Sequence, residues 1–209
     1  METKSSMLAT LQTANLAFTG MNAIEKIGEV SQHFGGKALI VTDSGVSTAG
    51  IVDRVREILA SSKITVDVFD QVEPEPDIQL VHRCVETIKA KGADFLIGIG
   101  GGSPLDVTKG AAIAMTNPGT IEDYIGIGLV KKRGLPTILV PTTSGTGSEA
   151  TKYAVFTVKD MKQVVIDPKT YADIAIVDPS LTVSMPPKIT AATGMDALCH
   201  SLECYTALS

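Results

Sequence analysis

Short runs of Val, Ile and Leu alternate with amphipathic helical stretches along most of the chain, and this alternation restricts the fold more than any other feature. Strands buried on both faces read as continuous apolar runs, and parallel strands need long crossovers, so the pattern predicts a parallel sheet with helices on both faces. The segment 37–43 (KALIVTD) reads as a buried strand, 48–62 (TAGIVDRVREILASS) as the following helix and 64–70 (ITVDVFD) as the next strand. Residues 77–92 form a helix with an apolar stripe at Ile78, Val81, Val85 and Ile88, closed by Gly92. A strand at 94–100 (DFLIGIG), a helix at 104–116 and a strand at 135–141 (LPTILVP) repeat the βαβ unit.

After Pro141 the rhythm changes. Segments 152–158 (KYAVFTV) and 162–168 (KQVVIDP) alternate like hairpin strands, and 174–179 (IAIVDP) is another buried strand. Residues 184–205 then turn helical, with Pro186 and Pro187 marking a boundary, because the residue before proline avoids helix and proline suits a first turn. The expected organisation is an α/β domain over residues 1–187 and the start of an all-helical unit over 188–209.

At 209 residues and 44% hydrophobic content the chain can bury a substantial core. A net charge of -5, with Lys interleaved among Asp and Glu, offers no phosphate-neutralising face, which argues against nucleic acid as a partner. The opening METKSSMLAT has no apolar stretch behind a basic flank, and no later segment has the length to span a bilayer, so a cytoplasmic protein without a membrane partner is expected. Cys84, Cys199 and Cys204 form no CxxC pair and read as free core thiols.

Chemistry concentrates in two glycine-rich loops. In GIGGGSPLDVTKG, apolar residues lead into Gly100, Gly101 and Gly102, then Ser103, Pro104 and Asp106 open a helix. Glycine lets a phosphate approach backbone N–H groups, and the helix N-terminus behind the loop favours an anion such as pyrophosphate. Ser103 is expected to cap, Pro104 to occupy the first helical position and Asp106 to complete a capping box. A tight turn with ordinary capping is the alternative. The second loop, VPTTSGTGSEAT, also follows a strand and offers Thr142, Thr143, Ser144, Thr146 and Ser148 for phosphate or ribose. Two such loops at strand carboxyl ends converge on the crevice where α/β folds bind ligands. Asp43 can accept both ribose hydroxyls of an adenosine and repel a 2'-phosphate, or simply cap a helix. It precedes the glycine loop, which is not the usual dinucleotide order, and GGGSPLDVTK lacks the Gly-Lys-Ser/Thr ending of a P-loop.

Near the end, GMDALCHSLE brings Asp196 and His200 together at i, i+4 on one helix face, with Glu203 nearly in line as a weaker third group. A carboxylate and an imidazole suit Fe(II), Zn(II) or Mn(II), while an Asp–His hydrogen bond or a solvated face is the alternative. His33 and His82 sit in covering helices, away from this pair.

The segments GGGSPLDVTK, PTTSGTGSE and MPPKITAATGMDALCHSLE, in this order, resemble the iron-containing (group III) alcohol dehydrogenase family. The resemblance implies an N-terminal dinucleotide-binding domain, a helical metal-binding domain, NAD and Fe(II) as cofactors, and a homodimer. Carried over by position, Gly101, Gly102, Ser103 and Asp106 match the loop around the pyrophosphate, and Thr142, Thr143 and Thr146 match the second cofactor loop. Thr151 and Lys162 match further cofactor contacts, Asp43 the ribose-reading acid, and Asp196 and His200 the first two metal ligands. Glu75 stands where the family often has Asn. The family takes two more histidine ligands from helices that follow, so the resemblance places them beyond Ser209 and reads this chain as the N-terminal part of a longer enzyme. The implied reaction is reversible hydride transfer between a small alcohol and NAD, giving an aldehyde or ketone. Alternatives are an NAD-binding module without catalysis and a dehydroquinate synthase-like lyase on the same fold.

Overall fold

The computed structural model describes residues 11–207. In chain order, β1 (Leu16–Thr19) is followed by α1 (Ile27–Ser31), β2 (Lys37–Val41), α2 (Ser44–Thr48), α3 (Ile51–Ser61), β3 (Thr65–Phe69), α4 (Ile78–Lys91), β4 (Phe95–Gly100) and α5 (Gly102–Thr116). Then come β5 (Gly126–Ile127), β6 (Thr137–Pro141), β7 (Tyr153–Val158), β8 (Met161–Ile166), β9 (Ile174–Val177) and α6 (Pro187–Thr206).

Six strands lie in the order β1, β9, β6, β4, β2, β3, and every pair is parallel. The apolar runs are continuous because alternate residues feed two cores. Leu39, Val41 and Leu96 pack under α4 and α5, against Val81, Val85, Ile88, Val107 and Ala111. Ala38, Ile40, Ile97, Ile99 and Val140 pack on the other face, against Val52, Val55 and Leu59 of α3 and Ile24, Ile27 and Val30. At about 1.5–3 kcal/mol for each large side chain taken fully out of water, these two layers dominate the stability of the domain. Helix α4 starts where Asp77 accepts a hydrogen bond from the Gln79 N–H and ends at Gly92 in the left-handed conformation, as the sequence predicts. The β7–β8 hairpin forms as expected, pairs β8 with the short β5, and presses Ala154, Phe156 and Val165 into the α5 side of the core.

Some features differ from expectation. Strand β1 and the buried residues Ile24, Ile27 and Val30 carry no clear signal in sequence, because β1 has four residues and is largely exposed. The helix expected over 48–62 begins only at Ile51 as α3, because Gly50 (φ 78°) separates it from the short α2 that ends at Thr48. Cys84 is buried as predicted, but Cys199 and Cys204 are exposed. They lie on α6, which has no buried residue and lines one cleft with Ile189 and another with Asp196, His200, Glu203 and Cys204. Among the described residues no helix is long and apolar enough to cross a membrane.

Candidate functional site

The sheet reverses its direction of growth between β2 and β4: β3 lies outside β2 on one side, while β6, β9 and β1 extend from β4 on the other. The crevice outside the carboxyl ends at such a point is where open α/β sheets take ligands. Asp43 follows β2, Gly101–Ser103 follow β4, and the loop from Thr142 to Ser148 follows β6. Gly100, at φ 146°, turns the chain sharply; a Cβ there would meet Pro104 Cγ at 2.7 Å and Asp43 Oδ2 at 3.2 Å.

This turn corrects the expected capping. Helix α5 begins at Gly102, with Gly101 at the N-cap and no side-chain cap. Ser103 is already inside the helix, and Asp106 is buried away from the N-terminus rather than closing a capping box. The N–H groups of Gly102 and Ser103 therefore have no acceptor within the helix and sit at the positive end of its dipole, on residues that line the crevice, while Pro104 has no N–H and the Leu105 N–H reaches the Gly101 carbonyl.

Two clefts meet at this helix start. One, of about 540 Å³, is lined by Asp43, Gly101, Thr142, Thr143, Leu181 and Ile189 among others. The other, of about 770 Å³, is lined by Asp106, Thr146, Thr151, Lys162, Asp196 and His200 among others. Gly102 and Ser103 line both. The loops touch closely, since a Cβ on Gly102 would lie 3.1 Å from Thr146 Cγ2. Asp43, Gly101, Gly102, Ser103, Asp106, Thr142, Thr143, Thr146, Thr151, Lys162, Asp196 and His200 thus line two clefts that adjoin at Gly102 and Ser103, whereas Gly100 and Ser144 line neither. Asp43 Oδ1 accepts from the Val46 N–H at 2.9 Å, which caps α2, and the residue also lines the first cleft. Lys162 Nζ pairs with Glu75 Oε1 at 3.0 Å across the rim of the second cleft.

A buried polar node under this cleft has no counterpart in the sequence-based expectation. Asp106 Oδ1 accepts from Ser148 Oγ at 2.6 Å, and Oδ2 accepts from the Val155 N–H at 3.2 Å. Lys109, wholly buried, donates to Ser148 Oγ at 3.0 Å and to the carbonyls of Tyr153 at 2.8 Å, Thr151 at 3.1 Å and Ser148. Burial pushes the Asp106 carboxyl up against the pull of Lys109, Ser148 and Val155. Burial likewise pushes the Lys109 ammonium down to about 8, against the pull of Asp106 and Glu149. The available signal was a lysine directly before the small apolar run GAAIAMT, on a helix with no polar face.

Asp196 and His200 stand on α6 with Oδ1 and Nε2 3.9 Å apart, 42% and 53% exposed at their side chains. Glu203 lines the same cleft. Among the described residues no group of three or more His, Cys, Asp or Glu side chains is arranged to hold a metal ion. An oxygen and a nitrogen donor at this separation fit two positions of a transition-metal site. His82 is engaged elsewhere, with Glu122 Oε1 at 2.8 Å.

A profile of the iron-containing alcohol dehydrogenases matches residues 15–179. The long-chain-alcohol dehydrogenase 1 of Geobacillus thermodenitrificans is 40% identical over 198 residues, covering 93% of this chain and 50% of that protein. A crystal structure of 1,3-propanediol oxidoreductase superimposes with a TM-score of 0.91 at 38% identity, over 95% of this chain and 53% of that one. Sulfoacetaldehyde reductase from Bifidobacterium kashiwanohense, crystallised in complex with NAD+, superimposes with a TM-score of 0.86 at 34% identity, over 94% of this chain and 53% of that one. The chain spans about half the length of the relatives it matches. With the profile running from β1 through β9 and the glycine and threonine loops meeting in one groove, the chain belongs to the iron-containing alcohol dehydrogenase family.

Proposed function

We propose that this chain carries the NAD-binding domain and the first two metal ligands of a metal-dependent alcohol dehydrogenase. The reaction is hydride transfer between a small alcohol and NAD, giving an aldehyde or ketone. The observation that carries this reading is the meeting of two clefts at Gly102 and Ser103, one ending at Asp43 and the other at Asp196 and His200. A dinucleotide has the matching form, two nucleotides joined at a pyrophosphate.

In this reading the open N–H groups at the start of α5, with Thr142, Thr143 and Thr146, bind the pyrophosphate. Asp43 accepts the adenosine ribose hydroxyls and disfavours a 2'-phosphate, which selects NAD over NADP. Thr151 and Lys162 bind the nicotinamide half in the second cleft, a reading supported by Asp196 and His200 lining the same cleft. Residues 1–187 form the cofactor domain, and 188–209 begin the helical metal-binding domain. Asp196 and His200 hold Fe(II), with Zn(II) and Mn(II) accepting the same donors. When bound, such a metal would supply Lewis acidity that polarises the substrate oxygen, worth several kcal/mol of charge stabilisation, against the roughly two to four decades of rate typical of a lone general base.

The test, made on the complete enzyme that contains this chain, is NADH formation from a panel of primary and small secondary alcohols, with metal content measured alongside. Asp196→Ala is expected to abolish turnover and leave NAD+ binding intact. Turnover that survives the substitution would sink the metal assignment. Binding of NAD+ with no turnover on any alcohol would instead favour a cofactor-binding module without catalysis.

A further inference from the structure

The side chain of Lys109 is wholly buried and lines neither cleft, yet its ammonium collects four oxygens. Three are backbone carbonyls of one segment, those of Ser148, Thr151 and Tyr153, and the fourth is Ser148 Oγ. All three of these residues line the second cleft. No residue from 148 to 153 lines the first. An ammonium has only three protons, so these acceptors must converge on a small region, and that convergence sets the direction of each peptide group. Filling the space alone would need no charge. Met or Leu would do so without the cost of desolvating an ammonium, which burial here pushes down to about 8 and which Asp106 and Glu149 partly restore. Asp106, 3.9 Å from Lys109, completes the tie by accepting from Ser148 Oγ and from the Val155 N–H at the start of the hairpin.

We propose that Lys109 is a positioning residue for the nicotinamide half of the cofactor: it holds segment 148–153 in the shape that half requires and leaves the adenosine half untouched. The inference rests on the assignment of the two clefts above. It predicts a selective effect that a merely structural role would not produce, a loss confined to the part of the cofactor that enters the second cleft.

The experiment compares equilibrium binding of NAD+ with that of ADP, which carries the adenosine and pyrophosphate alone. Lys109→Met is expected to weaken NAD+ by about tenfold or more and to change ADP by less than about twofold, ADP binding serving as the report of an intact fold. Equal weakening of both ligands, or unchanged NAD+ affinity, overturns the proposal. Lys109→Arg keeps a buried cation facing Asp106 and Glu149, but its planar fork cannot gather carbonyls that converge on a point. It should weaken NAD+ in the same selective way by about threefold or more, and it decides the matter if Lys109→Met does not fold; NAD+ bound by it as by the wild type overturns the proposal. A wild-type chain that binds ADP but gains nothing from the nicotinamide half would overturn the cleft assignment itself, and this is seen before any variant is made.

Discussion

Residues 95–155 and residues 187–206 face each other across the same groove, but different amounts of buried structure hold them in place. The first region has β4 and β6 in the sheet, the buried stretch of α5 from Pro104 to Ile113, and the Asp106–Lys109–Ser148 node beneath its loops. The second is a single helix with no buried residue, whose Ile189, Met195, Leu198, Leu202 and Tyr205 are all exposed. It does touch the second loop closely: a Cβ on Gly145 would lie 2.6 Å from the Thr193 carbonyl oxygen. The glycine and threonine loops are thus pre-organised by the domain core, while the Asp196–His200 pair is carried on an element that contributes little to that core. Cofactor binding and metal binding should therefore separate experimentally.

The sharpest way to break this contrast is to remove apolar side-chain volume on each side. Ile97→Ala should cost about 2–5 kcal/mol of unfolding free energy in a denaturant titration, since Ile97 is fully buried between the helix layers. Leu198→Ala on α6 should stay within about 0.5 kcal/mol, and comparable losses at both sites would erase the distinction. A smaller effect is expected from overpacking under the loops. Gly110→Ala places a Cβ 2.6 Å from Phe156 Cζ, and the forced shift of a buried ring should cost about 1–3 kcal/mol, measured the same way.

Asp43→Ser separates the observed cap of α2 from the ribose contact proposed for that residue. Serine retains the N-cap of α2, so thermal stability should hardly move, whereas loss of the carboxylate should weaken NAD+ by about tenfold and narrow the preference over NADP+. Competition binding of the two cofactors reads the result, and an unchanged ratio would remove Asp43 from cofactor choice.

The smallest effect concerns acid. Asp178 is buried, which by itself would raise its pKa, but hydrogen bonds from the N–H groups of Ser180, Ile24 and Asn22 outweigh that and hold it below its ordinary 3.8. A carboxylate lowered on folding stabilises fully above its unfolded pKa, and that contribution is lost as pH falls through the folded value. Unfolding free energy should therefore decline below about pH 4, and Asp178→Asn should be less stable near neutrality and show a shallower acid slope. An identical slope in the variant would place the acid sensitivity elsewhere.

Much of this molecule was legible in its sequence. Val and Ile runs such as 37–41 and 95–100 identify strands buried on both faces, because only a sheet covered twice leaves no polar side. Gly92 marks the end of α4 because a left-handed C-cap favours glycine. What escaped were features set by distant partners. Strand β1 is too short and exposed to show a pattern, and gains its identity by pairing with β9, more than 150 residues away. Asp106 matches a capping box in local spacing, but Gly100 lets α5 begin earlier and the carboxylate turns inward to Ser148 and Val155.

The composition and periodicity of the chain determined its layers, the positions of its two loops and the residue types that rim the groove, since each depends on interactions within a few residues or on burial alone. Only the tertiary structure decided that the two loops pack against each other, that two clefts share Gly102 and Ser103, and that a lysine lies wholly buried beneath them. Those outcomes depend on contacts between segments tens of residues apart, where an ammonium replaces its lost water only with oxygens that the rest of the fold brings to it.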